Sequence, residues 1–376
     1  MFEFFPGNYR WSYNTLLAFS AGAQLGDVGL IHTALLAGAG DDEVWHREWA
    51  RLAQLLEQRA RGPLASEHTA AENLFLASLY HTISEHFIPP ADRRRLESYA
   101  EVLRTFEAAR ATYRYVVERV EVPFEGSAMP AYFMPGEGSG PRPTAIFVCG
   151  LDTTKELWFL RARRQFAERG ISCLFIDTPG VGEALRLRKL VTRADYEKPV
   201  GAAVEFLQAR PDVDANGIGL IGSSLGGYYV ARAAAFEPRL KAVVAWGAIY
   251  DYHRVWVRRL HGTGIAGAPT FQLMFITGTD TMDAAVEAVR DFRIADFADR
   301  ITSPFLIMHG QDDKQVLMDD ADAAFAAIGS ADKSLVIFDG ANGGAAHTQF
   351  DNHLPALQVC ADWMASKLAY QVRNIL

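Results

Sequence analysis

The chain has 376 residues, of which 49% are hydrophobic and 22% are charged, and its formal net charge is −8 at pH 7. This length and apolar content allow a large buried core, in one large domain or in a core with an appendage. The negative balance, without a basic run, argues against nucleic acid as a main partner. The odd number of cysteines (Cys149, Cys173 and Cys360) favours free buried thiols and a reducing compartment.

The N-terminal segment predicts neither a targeting signal nor a membrane span. Its first residues, MFEFFPGNYRW, lack a basic region followed by an apolar one. Residues 15–40 are apolar, but Asp27 near their middle favours two short packed helices over a membrane span. We therefore expect a cytoplasmic protein with no membrane partner.

Residues 1–116 are predicted to form a helical domain. Apolar and aromatic residues recur there at helical spacing in three successive segments. One such face is formed by Trp45, Trp49, Leu52 and Leu56. Stripes of this kind are more often helix-packing surfaces than ligand sites, so we interpret them as core.

From residue 117 onward the pattern is that of a sheet with helices. Two extended runs with one polar face come first, and Pro123 places this strand pair near a sheet edge. Short apolar runs then alternate with helical segments, as expected for parallel strands covered on both faces. The runs are AIFV (145–148), CLFI (173–176), the run before Ser224, AVVAW (242–246), FLIM (305–308) and LVIF (335–338). Residues 117–376 are thus predicted to form a mostly parallel, doubly wound α/β core, with a lid-like insertion at about 250–299.

The most informative stretch is GIGLIGSSLGGY, residues 217–228. Its GSSLG segment (222–226) matches G-x-S-x-G between an apolar strand and an alanine-rich helix, which is the context this motif requires. A serine at such a sharp turn needs small residues two positions away on each side, because a Cβ there would crowd the adjacent strand or helix. The turn exposes the hydroxyl of Ser224, and the first helical N–H groups point to where an oxyanion would form. Ser223 fits less well, since Ile221 would then occupy a glycine position.

A nucleophilic serine needs a base, and the base needs an orienting acid. In α/β hydrolases the acid and then the histidine follow the serine, in loops beyond strand ends. Asp313 lies just beyond the strand FLIM, and His347 lies in a glycine-rich loop after LVIF. Asp312 is the alternative acid, because a slip of one residue exchanges the two, whereas His353 is predicted to start the last helix. Ser224, Asp313 and His347 are the predicted catalytic triad.

The oxyanion requires two backbone N–H groups. One is predicted to come from Leu225, directly after the serine. The other is predicted to come from Leu151, in the loop CGLDTTKE (149–156) that follows the strand AIFV. Cys149 in this loop is not a predicted nucleophile, because no histidine is evidently placed to activate it.

No cofactor and no metal are expected. His81 and His86 lie five residues apart, about 140° around a helix, so they do not readily share one ion. Residues 217–222 contain a formal G-x-G-x-x-G, but its first two glycines lie in the predicted strand instead of the turn after it. A dinucleotide-binding fingerprint requires its glycines in the turn that follows the strand, so this match does not predict a dinucleotide site.

Four motifs carry a family resemblance: GLDTTKE (150–156), DTPGVGEA (177–184), GSSLGG (222–227) and the late GGAAH loop. They resemble the α/β-hydrolase group that contains 2,6-dihydroxypseudooxynicotine hydrolase, and fungal polyketide-shortening pigment hydrolases and the fermentation–respiration switch protein have similar patterns. The resemblance implies an α/β-hydrolase fold with an N-terminal helical cap that can contribute to a homodimer. It also implies a small-molecule substrate, cleaved at a C–C bond next to a ketone or at an ester.

One position departs from this group, whose nicotine-pathway member uses a further glutamate after the strand that follows the nucleophile. No glutamate lies between Ala245 and Thr281, and Asp251 is the nearest acid. Asp251 is either a substrate-binding residue or a solvated loop carboxylate. C–C hydrolysis is the favoured reaction on the resemblance, and carboxylic ester hydrolysis is the alternative. A binding or regulatory protein on a hydrolase fold is the alternative of a different class.

Overall fold

The computed structural model describes residues 1–151, 153–341 and 343–368. The chain forms two compact units. One comprises Phe2–Val117 and Gly267–Gln272, and the other comprises Glu118–Ala266 and the residues from Leu273 onward, together with Met1.

The first unit is helical. Its helices are α1 Tyr9–Ser20, α2 Leu25–Ala37, α3 Asp42–Ala60, α4 Glu67–Glu85 and α5 Arg94–Thr112. The predicted stripe on α3 is fully buried, and the Trp45 ring lies 5.4 Å from that of Trp49 and 5.1 Å from that of Trp11. The carboxylate of Asp27 in α2 accepts hydrogen bonds from Arg59 (2.7 Å) and the Tyr80 hydroxyl (3.1 Å). None of the described helices is long and apolar enough to cross a membrane.

The second unit is built on an eight-stranded sheet of order β1-β2-β4-β3-β5-β6-β7-β8. Its strands are β1 Glu118–Phe124, β2 Ser127–Met134, β3 Arg142–Val148, β4 Ser172–Ile176, β5 Val213–Ser223, β6 Ala242–Trp246, β7 Phe305–Gly310 and β8 Lys333–Phe338. Strands β3 to β8 pair in parallel, whereas β1 and β2 are antiparallel to their neighbours. Pro123 lies in β1, at the sheet edge, as the sequence predicts.

Helices follow most of the strands. They are α6 Lys155–Ala167, α7 Gly182–Arg186, α8 Glu197–Gln208, α9 Leu225–Phe236, α10 Tyr252–Leu260, α11 Phe271–Thr277, α12 Met282–Ala288, α13 Met318–Ala327 and α14 His353–Lys367. The stretch predicted as a lid-like insertion contains α10, α11 and α12. His353 begins α14, as the sequence predicts.

The expectation that all the apolar runs are covered on both faces is wrong for LVIF. This run lies in β8, the last strand of the sheet. Ile337 is 38% exposed, and Leu335 is only partly buried. Because β8 lies at the edge of the sheet, the helices that enclose the central strands cover it only in part.

Candidate active site

Loops that follow the parallel strands meet at one edge of the sheet, because the carboxyl ends of parallel strands lie together. Ser224 directly follows β5 and precedes α9. Asp313 lies three residues beyond the end of β7, and His347 lies beyond the end of β8. The fold therefore brings together three residues that are far apart in the chain.

His347 stands between the other two residues. Its Nδ1 lies 2.6 Å from Asp313 Oδ2, and its Nε2 lies 2.9 Å from Ser224 Oγ. An ionised carboxylate only accepts hydrogen bonds, so Nδ1 carries the proton and Nε2 is left to accept from the serine hydroxyl. Asp312, the alternative acid, is exposed, and its backbone N–H donates to Ala345 O at 2.9 Å.

The carboxylate of Asp313 is fully buried and well supplied with donors. Its Oδ1 accepts the N–H groups of Gln315 (2.8 Å) and Val316 (3.0 Å). Burial pushes the pKa of Asp313 upward, but the neighbouring His347 and His309 and the Val316 N–H outweigh it and hold the pKa below its ordinary value. Burial lowers the pKa of His309, whose Nε2 lies 2.9 Å from Val316 O. Asp313 is therefore held ionised beside His347.

The backbone at Ser224 has the conformation of a tight turn, with φ 57° and ψ −119°. Its N–H donates to Trp246 O at 2.8 Å. The flanking glycines are required by space, as the motif predicts: a Cβ at Gly222 would lie 2.3 Å from Gly226 O, and one at Gly226 would lie 3.0 Å from Val148 O. The G-x-S-x-G spacing is therefore a packing requirement of the turn.

The two predicted oxyanion donors belong to adjacent segments. Leu225 is the first residue of α9, so its N–H has no acceptor one turn earlier within the helix. Gly150, in the loop after β3, packs against this turn, since a Cβ there would lie 2.6 Å from Ser223 O and 3.6 Å from Leu225 N. Leu151 follows Gly150 directly. That its N–H completes an oxyanion hole stays a prediction.

We expect Gly150→Ala to lower kcat about 100-fold on an aryl ester, because loss of one oxyanion donor costs roughly 10²–10³. The added Cβ meets a backbone oxygen, so the loop must move away from the nucleophile. Gly29→Ala is a matched control, since no atom lies within 4 Å of a Cβ there. A Gly150→Ala variant within threefold of wild-type kcat would contradict this account.

Asp251 has the contacts of a helix cap. Its carboxylate accepts the N–H of Arg254 at 2.9 Å and lies 3.5 Å from the Arg293 guanidinium. A substrate-binding role for Asp251 stays a prediction.

The sequence did not identify Asp320, whose buried carboxylate accepts the N–H groups of Tyr250 and Asp251 at 3.2 and 3.3 Å. Asp320 thus fixes the segment that follows β6.

The sequence reasoning also missed a buried charge cluster around Lys155. The Lys155 ammonium binds Asp177 Oδ2 at 3.0 Å and Glu183 Oε2 at 2.9 Å. The signal was present: the lysine belongs to the GLDTTKE motif and both acids belong to the DTPGVGEA motif. Their contact depends on β4 pairing with β3, which the motifs alone do not reveal.

The helical unit contains a second cluster, formed by Glu57, His81 and Glu101, whose possible ligand atoms lie within 4.8 Å of one another. Glu57 also binds the guanidinium groups of Arg104 (2.6 Å) and Arg61 (3.2 Å). Burial lowers the pKa of His81. Because guanidinium cations already neutralise Glu57, we interpret the cluster as an ion-pair network and assign no metal to it.

A mostly parallel eight-stranded sheet, a serine at the strand-to-helix turn and a histidine between that serine and a buried aspartate define an α/β hydrolase. The chain belongs to the Esterase FrsA-like family, whose model matches residues 30–258. The model of the Prolyl oligopeptidase family matches residues 158–369. The resemblance read from the motifs is confirmed, and the protein is a hydrolase of the α/β-hydrolase type.

Several known proteins are similar to this chain. A 2,6-dihydropseudooxynicotine hydrolase from Paenarthrobacter nicotinovorans is 31% identical over 287 residues, covering 74% of each chain. Esterase FrsA from Vibrio vulnificus is 33% identical over 213 residues, covering 55% of this chain and 49% of its own. The crystal structure of 2,6-dihydroxy-pseudo-oxynicotine hydrolase superposes with a TM-score of 0.81 at 26% identity, covering 94% of this chain and 96% of its own. AbyA5, at 18% identity and a TM-score of 0.70, shares the fold.

Proposed function

We propose that the protein is a serine hydrolase in which Ser224, His347 and Asp313 form the catalytic triad. The observation that carries this proposal is the position of His347, with Nε2 at 2.9 Å from Ser224 Oγ and Nδ1 at 2.6 Å from Asp313 Oδ2. The N–H groups of Leu225 and Leu151 are the proposed oxyanion donors. No residue in this scheme requires a cofactor.

The reaction begins when His347 Nε2 takes the Ser224 proton while Oγ bonds to the substrate carbonyl carbon. The carbonyl electron pair moves to the oxygen, which the two N–H groups stabilise. Collapse of this intermediate breaks the bond to the leaving group, and His347 returns the proton to it. Water then attacks the acyl-enzyme carbonyl while His347 takes a proton from it, and collapse of the second intermediate releases the carboxylic acid as the proton returns to Ser224 Oγ. Asp313 orients the imidazole and stabilises its protonated form.

The substrate we propose is an aromatic or polyketide-like ketone cleaved at a C–C bond next to a carbonyl. The family resemblance supports it, as does the 31% identical relative named 2,6-dihydropseudooxynicotine hydrolase. In such a reaction the leaving group departs as a carbanion, which must be delocalised or protonated as the bond breaks. Asp251 is the proposed substrate-binding acid beyond the strand after the nucleophile.

Carboxylic ester hydrolysis is the second candidate. It is favoured by the Esterase FrsA-like family model and by the 33% identical relative named Esterase FrsA. Both reactions pass through the same acyl chemistry and differ in the leaving group, since an alkoxide or phenoxide departs more readily than a carbanion. The resemblance supports a homodimer with a helical cap, and the N-terminal sequence supports a cytoplasmic location.

The test compares turnover of a short aryl ester with turnover of an aryl 1,3-diketone, and Ser224→Ala serves as the control for both. We expect the wild type to cleave the diketone and the variant to lose this activity. Cleavage of the ester alone would make the protein an esterase. Turnover of neither substrate, together with no fluorophosphonate labelling of Ser224 in folded protein, would favour a binding or regulatory role.

A further inference from the structure

A lysine with no exposed side-chain surface lies at the start of α6, next to the loop that follows β3. Besides its bonds to Asp177 and Glu183, the Lys155 ammonium lies 2.7 Å from Glu156 Oε1. Burying ions is costly, and a buried ion cluster is often no more stable than an apolar one of the same shape. Stability alone therefore does not explain the cluster, and its place beside the loop that follows β3 suggests another role.

The carboxylate of Asp177 joins the beginnings of two helices. Its Oδ1 accepts the Lys155 N–H at 2.8 Å, at the start of α6, and its Oδ2 accepts the Glu183 N–H at 2.8 Å, in the first turn of α7. The side chains of the N-cap residues of these helices make no capping hydrogen bond, so the Asp177 carboxylate caps both helices instead. Gly182 allows this approach, because its φ is +49° and a Cβ there would lie 2.0 Å from the Asp177 carboxylate.

The loop after β3 begins next to the turn that carries Ser224. The Gly150 N–H donates to Thr153 Oγ1 at 2.8 Å, which links these two residues of the loop. Gly150 also packs against Ser223 O and Leu225 N. Leu151 lies between this contact and Lys155. In the chain, Leu151 thus lies between two points with defined contacts, Gly150 on one side and the Lys155 N–H bound to Asp177 on the other.

We propose that Asp177 and Lys155 are positioning residues for the oxyanion hole. Asp177 fixes the start of α6 by accepting the Lys155 N–H, and the Lys155 ammonium holds the Asp177 carboxylate in place. The proposal rests on the proposed function of Ser224 and Leu151. Neither residue of the pair needs to touch the substrate, because the effect passes through the backbone of the loop.

A carboxylate is required at position 177 because both of its oxygens accept hydrogen bonds. Both Asp177 oxygens face donors: Oδ1 faces the Lys155 N–H, while Oδ2 faces the Lys155 ammonium and the Glu183 N–H. An asparagine has the same shape, but its NH₂ group must point at one of these donors, so a hydrogen bond is replaced by repulsion. The second oxygen of Glu183 is held by Arg119 at 2.7 Å, which fixes the far side of the cluster.

The test compares Asp177→Asn with the wild type by kinetics, by phenylboronate binding and by amide hydrogen exchange. Phenylboronate forms a tetrahedral adduct on a nucleophilic serine and uses the oxyanion hole, whereas benzoate, a carboxylate with the same ring, does not form that adduct. We expect kcat and phenylboronate affinity to fall together by about 10- to 100-fold, which is less than the roughly 10²- to 10³-fold cost of removing an oxyanion donor outright. Benzoate affinity and KM should change by less than about threefold. Exchange in a peptide covering residues 149–155 should accelerate about tenfold or more.

Glu237→Gln is the matched control, because Glu237 is a buried carboxylate paired with Arg239 at the opposite end of α9 from Ser224. It should leave kcat and phenylboronate affinity within twofold of wild type. If Asp177→Asn does not fold, Thr153→Val removes the acceptor of the Gly150 N–H without touching the ion cluster and should shift the same measurements in the same direction.

Wild-type phenylboronate affinity and wild-type loop exchange in a folded Asp177→Asn variant would overturn the positioning role. Equal losses of phenylboronate and benzoate affinity would also overturn it, since they would indicate a general structural effect. Failure of the proposed function gives a different result, because the wild type itself would then bind no phenylboronate at Ser224. In that case the exchange rate of residues 149–155 still decides whether Asp177 holds the loop.

Discussion

Ser224→Ala is expected to lower kcat by about 10⁶-fold, the scale measured when a triad nucleophile is removed. The alanine keeps the backbone and the neighbouring loops but removes the hydroxyl oxygen that lies 2.9 Å from His347 Nε2 and would bond to a carbonyl carbon. The measurement is kcat on whichever of the two aryl substrates the wild type cleaves. A fluorophosphonate should label the wild type at Ser224 and leave the variant unlabelled.

The adjacent serine supplies the control for this prediction. Ser223 is the last residue of β5 and is buried, so Ser223→Ala removes a hydroxyl next to the turn without removing the nucleophile. We expect it to keep kcat within tenfold of wild type. If Ser224→Ala retained wild-type turnover, the nucleophile would have to be sought elsewhere, and the triad assignment would be wrong.

Asp313→Asn is expected to lower kcat by about 10⁴-fold, the loss measured for the equivalent change in a serine protease triad. Oδ1 of Asp313 accepts two backbone N–H groups, so the asparagine oxygen would take that position and its NH₂ group would face His347 Nδ1. Nδ1 would then accept a hydrogen bond, and the ring proton would move to Nε2. An imidazole in that state cannot take the proton of Ser224.

Asp312→Asn is the matched control, since it makes the same change one residue earlier on an exposed side chain. Its kcat should stay within twofold of wild type, and KM should be unchanged in both variants. A large loss in Asp312→Asn and none in Asp313→Asn would exchange the two assignments. Because the pKa of Asp313 is held below its ordinary value, the wild type should keep this carboxylate ionised down to that ordinary value, and wild-type kcat should not fall through protonation of Asp313 at higher pH.

The sequence predicted the sheet and the three residues that the fold brings together, Ser224, Asp313 and His347, because both depend on local patterns. A serine flanked by glycines, an aspartate just beyond one strand and a histidine beyond the next can be read without knowing which strands are neighbours. The order of the parallel strands also made no difference, since all of their carboxyl ends lie at one edge. Asp313 is a better prediction than Asp312 because it lies farther beyond the strand end, and His347 is a better one than His353 because it lies in a glycine-rich loop and not at the start of a helix.

The sequence could not predict features that depend on the order of strands in the sheet. Lys155 and Asp177 are 22 residues apart and meet because β3 and β4 are neighbours. The exposure of Ile337 likewise follows from the place of β8 at the sheet edge, since its apolar run resembles those of the central strands. Asp320 has no marker at all, because it is one of several acids near the start of α13 and only the fold shows which one is buried.

The backbone at Ser224 has a consequence for protein engineering. A side chain held at φ 57° and ψ −119° is in a sparsely populated conformation, which costs about 1–3 kcal/mol of folding free energy. Glycine adopts such conformations at little cost, so a selection for heat resistance alone would favour glycine at position 224. Such a selection would remove the nucleophile while it relieved the backbone strain at the turn. Any effort to stabilise this protein should therefore keep position 224 fixed and seek its gains elsewhere.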